Sequence, residues 1–106
     1  MSIFVVETYV VKAEKRDDFT PRLNEFLKYK QDHPHLFPGL KSWKLYRQDI
    51  GQPAGLYTEM WEYDSLAQME QDRTCQEDEG MKRISTGFHQ LVQPDTFSVS
   101  VWSQVA

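Results

Sequence analysis

Hydrophobic and polar positions alternate in four separate stretches of the chain, and between these the spacing lengthens to threes and fours. The first stretch, Ile3-Phe4-Val5-Val6-Glu7-Thr8-Tyr9-Val10-Val11, is rich in branched and aromatic residues, which fit a pleated surface better than a helix. It predicts a strand with Phe4, Val6, Thr8 and Val10 on one face and Ile3, Val5, Glu7, Tyr9 and Val11 on the other. From Asp18 onward, Phe19, Leu23, Phe26 and Leu27 recur at helical spacing, with Arg22, Glu25 and Lys28 turned to water. With Asp18 as N-cap, Pro21 would sit at the third helical position, where its missing N–H would be unpaired in any case. Lys30 continues the stripe with its aliphatic stem, and Tyr29 falls on the flank. Pro34 ends this helix near Asp32, leaving His33 to Gly39 as a structured loop.

Alternation returns in Leu40 to Gln48, with Trp43, Leu45 and Arg47 on one face. A turn over Asp49 to Gly55 leads into Leu56 to Tyr63, whose odd-numbered face carries Tyr57, Glu59, Trp61 and Tyr63. Ser65 and Gln68 have the spacing of a capping box, in which each would satisfy the other's orphan donor at the start of a second helical region. That region holds Leu66 and Met69, breaks within the polar run Asp72 to Glu79, and resumes with the stripe Met81, Ile84, Phe88, Leu91 and Val92 until Pro94 stops it. Thr96 to Trp102 alternates again, Phe97, Val99 and Val101 against Ser98, Ser100 and Trp102. The order strand, helix, strand, strand, helix, strand defines an α+β, ferredoxin-like split βαβ domain over residues 1–106, a four-stranded antiparallel sheet with its helices on one face. The other face is expected to carry Tyr9, Tyr57, Trp61, Tyr63 and Trp102 and to be covered by a second copy of the chain.

Composition narrows the class of partner. The chain has 106 residues, 40% hydrophobic and 26% charged, the balance of a single globular domain. Its aromatic share of 13% exceeds what a small core needs. The formal charge of −4 and pI near 5.3 have the wrong sign for a nucleic-acid surface. Cys75 is the single cysteine, so no internal disulfide and no CxxC metal site are expected. The apolar start lacks a basic leader and runs into Lys12, Glu14 and Lys15, which reads as neither a signal peptide nor a membrane span. A cytoplasmic location, no membrane partner, no metal and no cofactor are the resulting expectations.

Thr8-Tyr9-Val10-Val11-Lys12, followed by a helix containing Phe19 and Phe26, resembles the NIPSNAP-like and antibiotic-biosynthesis-monooxygenase-like branch of the dimeric α+β barrel superfamily. Trp61-Glu62-Tyr63-Asp64-Ser65-Leu66 at the strand-to-helix junction and Pro38-Gly39 before the second strand carry the same resemblance. It implies that two sheets close face to face into a dimeric barrel whose interior holds a hydrophobic or aromatic ligand. The haem-degrading relatives place an Asn on the first strand, a Trp on the third and a His in the second helix; this chain offers Glu7 and Thr8 without an Asn, Trp61, and a late His89.

Glu7 and Glu59 lie on strands that the split βαβ order sets side by side, so they are candidates for a carboxylate pair with raised pKa and general-base chemistry. Pairing with Arg47 or Lys41 is the structural alternative. Tyr9, Tyr57, Trp61 and Tyr63 are candidate aromatic ligand contacts, and His35 or Arg47 could steady developing negative charge. His33 and His35 have no converging ligand partners in the sequence, and His89 reads as a core-edge histidine. The resulting expectation is a homodimer binding a small aromatic or hydrophobic molecule, either as a cofactor-independent monooxygenase or isomerase or as a non-catalytic binding or structural protein, with haem binding through Trp61 and His89 as a third reading.

Overall fold

The computed structural model describes residues 1–106. Strands β1 (Ile3–Val10), β2 (Ser42–Arg47), β3 (Leu56–Tyr63) and β4 (Ser98–Ser103) form one sheet in the order β2-β3-β1-β4. Every neighbouring pair is antiparallel. Helices α1 (Arg16–Asp32), α2 (Leu66–Cys75) and α3 (Glu79–His89) complete the α+β ferredoxin-like fold. None is long and apolar enough to cross a membrane.

Local chemistry sets most of the helix boundaries. The Ser65 hydroxyl accepts from the Gln68 N–H at 3.1 Å, and the Asp78 carboxylate accepts from the Met81 N–H at 3.1 Å, so α2 and α3 each begin on a side-chain cap. The reciprocal arm expected of Gln68 is not made. Its side chain runs instead toward Asp72 and fills the space beside Gly39, where a Cβ would overlap it. The break within the polar run falls between Cys75 and Glu79. Leu91 and Val92 are buried but lie past the end of α3, with Val92 bridged to Val11 as a short continuation of the sheet.

The start of α1 differs from the sequence expectation. A short 3-10 turn over Ala13–Lys15 leads straight into a helix beginning at Arg16, so Asp18 lies inside the first turn and Pro21 is within the helix. Pro21 leaves the Asp17 carbonyl without its intrahelical donor, and both residues are exposed, so that carbonyl is open to water.

The larger correction concerns the two faces of the sheet. Cross-strand partners share a face, and the register pairs Val5 with Trp61, Glu7 with Glu59 and Tyr9 with Tyr57. This odd-numbered face lies under the helices. Tyr9, Tyr57, Trp61 and Tyr63 therefore do not form the open surface; they build the interior of the single chain. The rings of α1 and α3 explain why. Phe19 stacks on Tyr57 with centroids 4.4 Å apart, and Phe88 meets Tyr9 edge-on at 5.0 Å, contacts worth more than area burial alone. Trp102 does belong to the uncovered face, with Phe4 and Glu62 in register beside it.

Two apolar clusters form beneath the helices. Ile3, Val5, Tyr63 and Met69 pack at one end of the β1–β3 pair. Tyr9, Val11, Phe19 and Val92 pack at the other. The middle register of β1 and β3, where Glu7 faces Glu59, lies between them.

Candidate functional site

A cavity of about 370 Å³ occupies that middle register, between the sheet and helices α1 and α3. Glu7 and Tyr9 enter it from β1, Trp43 from β2, and Glu59 and Trp61 from β3, all on the helix-facing side. Phe26 of α1, Phe88 and His89 of α3, and Phe97 before β4 close the opposite wall. An apolar enclosure with a few convergent polar groups is the usual form of a small-molecule site.

The two carboxylates are held differently. Glu59 is buried, and its oxygens are both engaged: Tyr9 Oη donates to Oε2 at 2.7 Å and Trp43 Nε1 donates to Oε1 at 3.1 Å. Burial nevertheless raises the Glu59 pKa, with these donors and the His89 imidazole pulling it back down. Burial, the adjacent Glu59 and Glu7 likewise hold the Tyr9 phenol far above its ordinary range, so it remains the donor.

Glu7 is half-buried and has no such bonded partners. Loss of hydration, then repulsion from Glu59, pushes its pKa up to about 7, opposed by the Trp61 indole and by the Arg73 charge. The Trp61 Nε1–H stands near both carboxylates but meets no acceptor at hydrogen-bonding geometry, and it is buried. The Gln76 side-chain nitrogen at the end of α2 is also buried without an acceptor, and Gln76 lines the same cavity.

The structure thus brings together Glu7, Tyr9, Glu59 and Trp61 among the residues singled out from the sequence. Other candidates fall elsewhere. Tyr57 stacks between Phe19 and Tyr9 and supports the wall from behind. Tyr63 is buried in the cluster with Ile3 and Met69, where burial pushes its phenol up to about 12. Arg47 is exposed and paired with Asp49 at 3.2 Å, and Lys41 pairs with Asp64 at 3.1 Å, so neither neutralises the Glu7–Glu59 pair. His35 is exposed in the loop after α1, its ring 5.8 Å from that of His33 and outside the cavity. Polar flanks and a proline-bounded loop keep Arg47 and His35 on the surface.

Trp43, Phe26, Phe88, Phe97 and Gln76 line the cavity without having been singled out from the sequence, and Arg22, expected to face water alone, also reaches its wall. Trp43 shares the odd-numbered register with Trp61, directly across β2 and β3, and that pairing was the available signal. His89 is exposed at the rim, its ring edge-on to Phe97 at 5.3 Å and its Nδ1 3.4 Å from Ser85 Oγ. The haem-degrading arrangement is not reproduced: Trp61 is in place, but β1 supplies Glu7 and Thr8, and no imidazole projects from the cavity's centre. No three His, Cys, Asp or Glu side chains gather in a metal-binding group.

Fold and cavity together define a ferredoxin-like α+β domain with an aromatic, acidic pocket between its sheet and helices. No family model matches the chain, and no curated protein does. Solved structures match over nearly its full length. A NIPSNAP family protein from Agrobacterium tumefaciens has a TM-score of 0.76 at 19% identity, covering 98% of this chain and 86% of that one. A putative antibiotic biosynthesis monooxygenase from Caulobacter crescentus has a TM-score of 0.72 at 18% identity, covering 99% and 91%. A conserved protein from Methanosarcina mazei has a TM-score of 0.73 at 14% identity, covering 99% and 94%. The fold of this chain is therefore the one shared by the NIPSNAP-like and antibiotic-biosynthesis-monooxygenase-like structures that its strand and junction motifs resemble.

Proposed function

We propose that the chain binds a small, flat aromatic molecule in the cavity and that Glu7 removes a proton from it. The observation that carries this reading is the unequal state of the two carboxylates: Glu59 is fixed by Tyr9 and Trp43, while Glu7 opens on the cavity with a pKa near 7. A base with a pKa close to the working pH combines a large deprotonated fraction with useful basicity. Glu59 serves as the fixed negative neighbour that sets it. Trp61, Phe26 and Phe88 supply the aromatic walls against which the ligand packs.

Isomerisation follows if the proton returns at another carbon. Monooxygenation follows if dioxygen is the co-substrate: an activated methylene becomes a carbonyl, one oxygen atom entering the product and the other leaving as water, with the carbon centre oxidised by four electrons and dioxygen reduced. The named monooxygenase neighbours share only the fold with this chain, and the cavity chemistry carries the reading.

The test is deuterium exchange at the benzylic C1 of 2-tetralone, a bicyclic ketone with an acidic C–H, followed by proton NMR. The expected rate rises through about pH 7 and levels off, because the base acts in its deprotonated form. Glu7→Gln is expected to lower it at least about 100-fold. No acceleration over buffer, or an unaltered rate in Glu7→Gln, overturns the reading, and an oxygen electrode separates isomerisation from monooxygenation.

The pocket belongs to one chain, which changes what dimerisation would do. We infer that a second copy covers the even-numbered face, around Phe4, Val6, Met60 and Trp102, because helices cover only the other face and monomers seldom leave a large apolar patch wet. Trp102 is 62% exposed in the single chain. Light scattering is expected to give twice the chain mass for the native protein and the chain mass for Trp102→Glu; a native monomer at high concentration would refute this assembly.

A further inference from the structure

Outside the cavity, one stretch of surface departs from the acidic character of the chain. A groove of about 430 Å³ follows the outer seam between α1 and α3, and no hydrophobic side chain lines it. Arg22 enters it from α1 and Lys82 and Arg83 from α3, against the single carboxylate of Glu79. The chain as a whole carries a formal charge of −4, so three cations gathered in one groove run against its composition. Their neutralisation within the protein is slight. Arg22 meets Glu25 only at 3.7 Å and Lys82 meets Glu79 only at 3.9 Å, with all four side chains open to water. None of the ion pairs in the chain includes Arg83. Asp78, at the start of the same helix, is taken up by the Tyr29 hydroxyl and the Met81 N–H. Arg22 is also seated. A Cβ on the buried Gly87 of α3 would come within 3.0 Å of its Nη1 and 3.2 Å of its Cζ, so the guanidinium lies against the helix where a side chain is missing. It borders the groove on one side and the cavity on the other.

We propose that this groove binds a phosphate group, held by the guanidinium groups of Arg22 and Arg83 with Lys82 supplying a third positive charge. Like charges gathered without a matching counter-charge repel one another, and an anion supplied from solution relieves that repulsion. The planar fork of an arginine matches the oxygens of a phosphate, and the lysine ammonium adds charge without directional demand. Thr86 and Gln90 line the same groove and contribute uncharged donors. A compact dianion fits better than an extended polyanion, because Glu25 and Glu79 flank the cations. Arg22 brings the bound group close to the cavity, so two carriers of the same chemistry are distinguished by experiment: inorganic phosphate, and a phosphate ester whose organic part reaches toward the cavity. Phosphate recognition here is independent of the proton chemistry assigned to Glu7.

The test is a proton–nitrogen NMR titration of the native chain with inorganic phosphate at about pH 7.5, where the group is mostly dianionic, against sodium chloride at matched ionic strength. Phosphate is expected to give saturable shifts centred on the amides of Arg22, Lys82, Arg83 and Gly87, and chloride none that saturate. Arg83→Gln and Arg22→Gln are each expected to weaken binding at least about fivefold, the scale of a charge-assisted hydrogen bond. Arg83 is exposed, so its replacement leaves the core untouched and the outcome is not confused with unfolding. Titrations with 1-naphthyl phosphate and with 1-naphthol then identify the carrier. An ester that binds at least about tenfold more tightly than inorganic phosphate, and loses that affinity in Arg83→Gln, supports the site with an organic phosphate as its ligand. Equal affinities for the ester and inorganic phosphate support it with the free anion. An absence of saturable shifts at the groove, an equal response to chloride, an affinity unchanged in either arginine variant, or 1-naphthol binding as tightly as its phosphate ester at these same amides overturns the phosphate site.

Discussion

Glu59 and Glu62 stand three positions apart on the same strand, point to opposite faces of the sheet, and titrate in opposite directions. Glu62 lies on the uncovered face, where the Ser2 and Ser42 hydroxyls donate to its two oxygens at 2.6 and 2.7 Å and Lys41 stands 3.9 Å away. Those hydrogen bonds, helped by the Lys41 and Lys44 charges, hold its pKa below the ordinary carboxylate value. Glu59 also receives two hydrogen bonds, yet burial under the helices raises its pKa. The number of donors is thus not what separates the two residues. The medium around the carboxylate decides the sign, and the second carboxylate of Glu7 extends the effect across the strand pair.

The pH dependence of stability offers the largest way to test this contrast. Glu7 has a folded-state pKa of about 7 against an ordinary value of 4.5, so between those limits the folded chain binds more protons than the unfolded one. Stability therefore falls as pH rises from about 4.5 to about 7, by on the order of 2–3 kcal/mol from this group. Denaturant unfolding of the native chain and Glu7→Gln across that window is expected to show the variant free of this fall and more stable at pH 8. Parallel curves would mean that Glu7 is solvated like Glu62.

Tyr9→Phe is next in size. It removes the hydroxyl that donates to Oε2 of Glu59 and is expected to cost about 1–3 kcal/mol at pH 8. The cost should shrink toward pH 4, where a protonated Glu59 no longer leaves an unsolvated charge. An effect of similar size concerns the helices that bury the acidic pair. The Tyr29 hydroxyl donates to Asp78, the α3 cap, and a Cβ on Gly80 would overlap that hydroxyl. Gly80→Ala is accordingly expected to destabilise by about 1–3 kcal/mol, and Gly80→Ala combined with Tyr29→Ala by less than the sum, because the Tyr29 hydroxyl and ring edge are the atoms in the way. The smallest effect is that of Glu62→Gln. Its stability profile should run parallel to the native one and slightly below it above pH 5, and the two should converge below the ordinary carboxylate pKa, where the native chain loses the contribution of its lowered group; a change of slope near pH 7 would assign Glu62 the behaviour of Glu59.

Much of the framework was readable from local pattern. The alternation in Ile3 to Val11 and Leu56 to Tyr63 predicts strands, and their order places Glu7 next to Glu59, as the register shows. Ser65 and Pro94 mark boundaries because their effects act within a few residues. Pro21 misled the reading because a preceding 3-10 turn moved the helix start. The site was only half legible. Glu7, Tyr9, Glu59 and Trp61 carry their chemistry on one face of the β1–β3 pair, whereas His35 and Arg47 have suitable chemistry but no such patterning, and the fold leaves both outside the cavity.

What the sequence determined by itself is the set of elements, their order, and which residues share a face, since period-two and period-3.6 patterns act through the covalent geometry of neighbouring residues. What it left open is which face of the sheet would be buried within the chain. Both faces of β1 are apolar enough to pack, and alternation is symmetric with respect to that choice. The tertiary structure decided it, by bringing Phe19, Phe26 and Phe88 down on the odd-numbered face. The same packing turned a charged cross-strand pair into a desolvated one and brought Gln76, a polar residue in an unremarkable run, into the cavity wall.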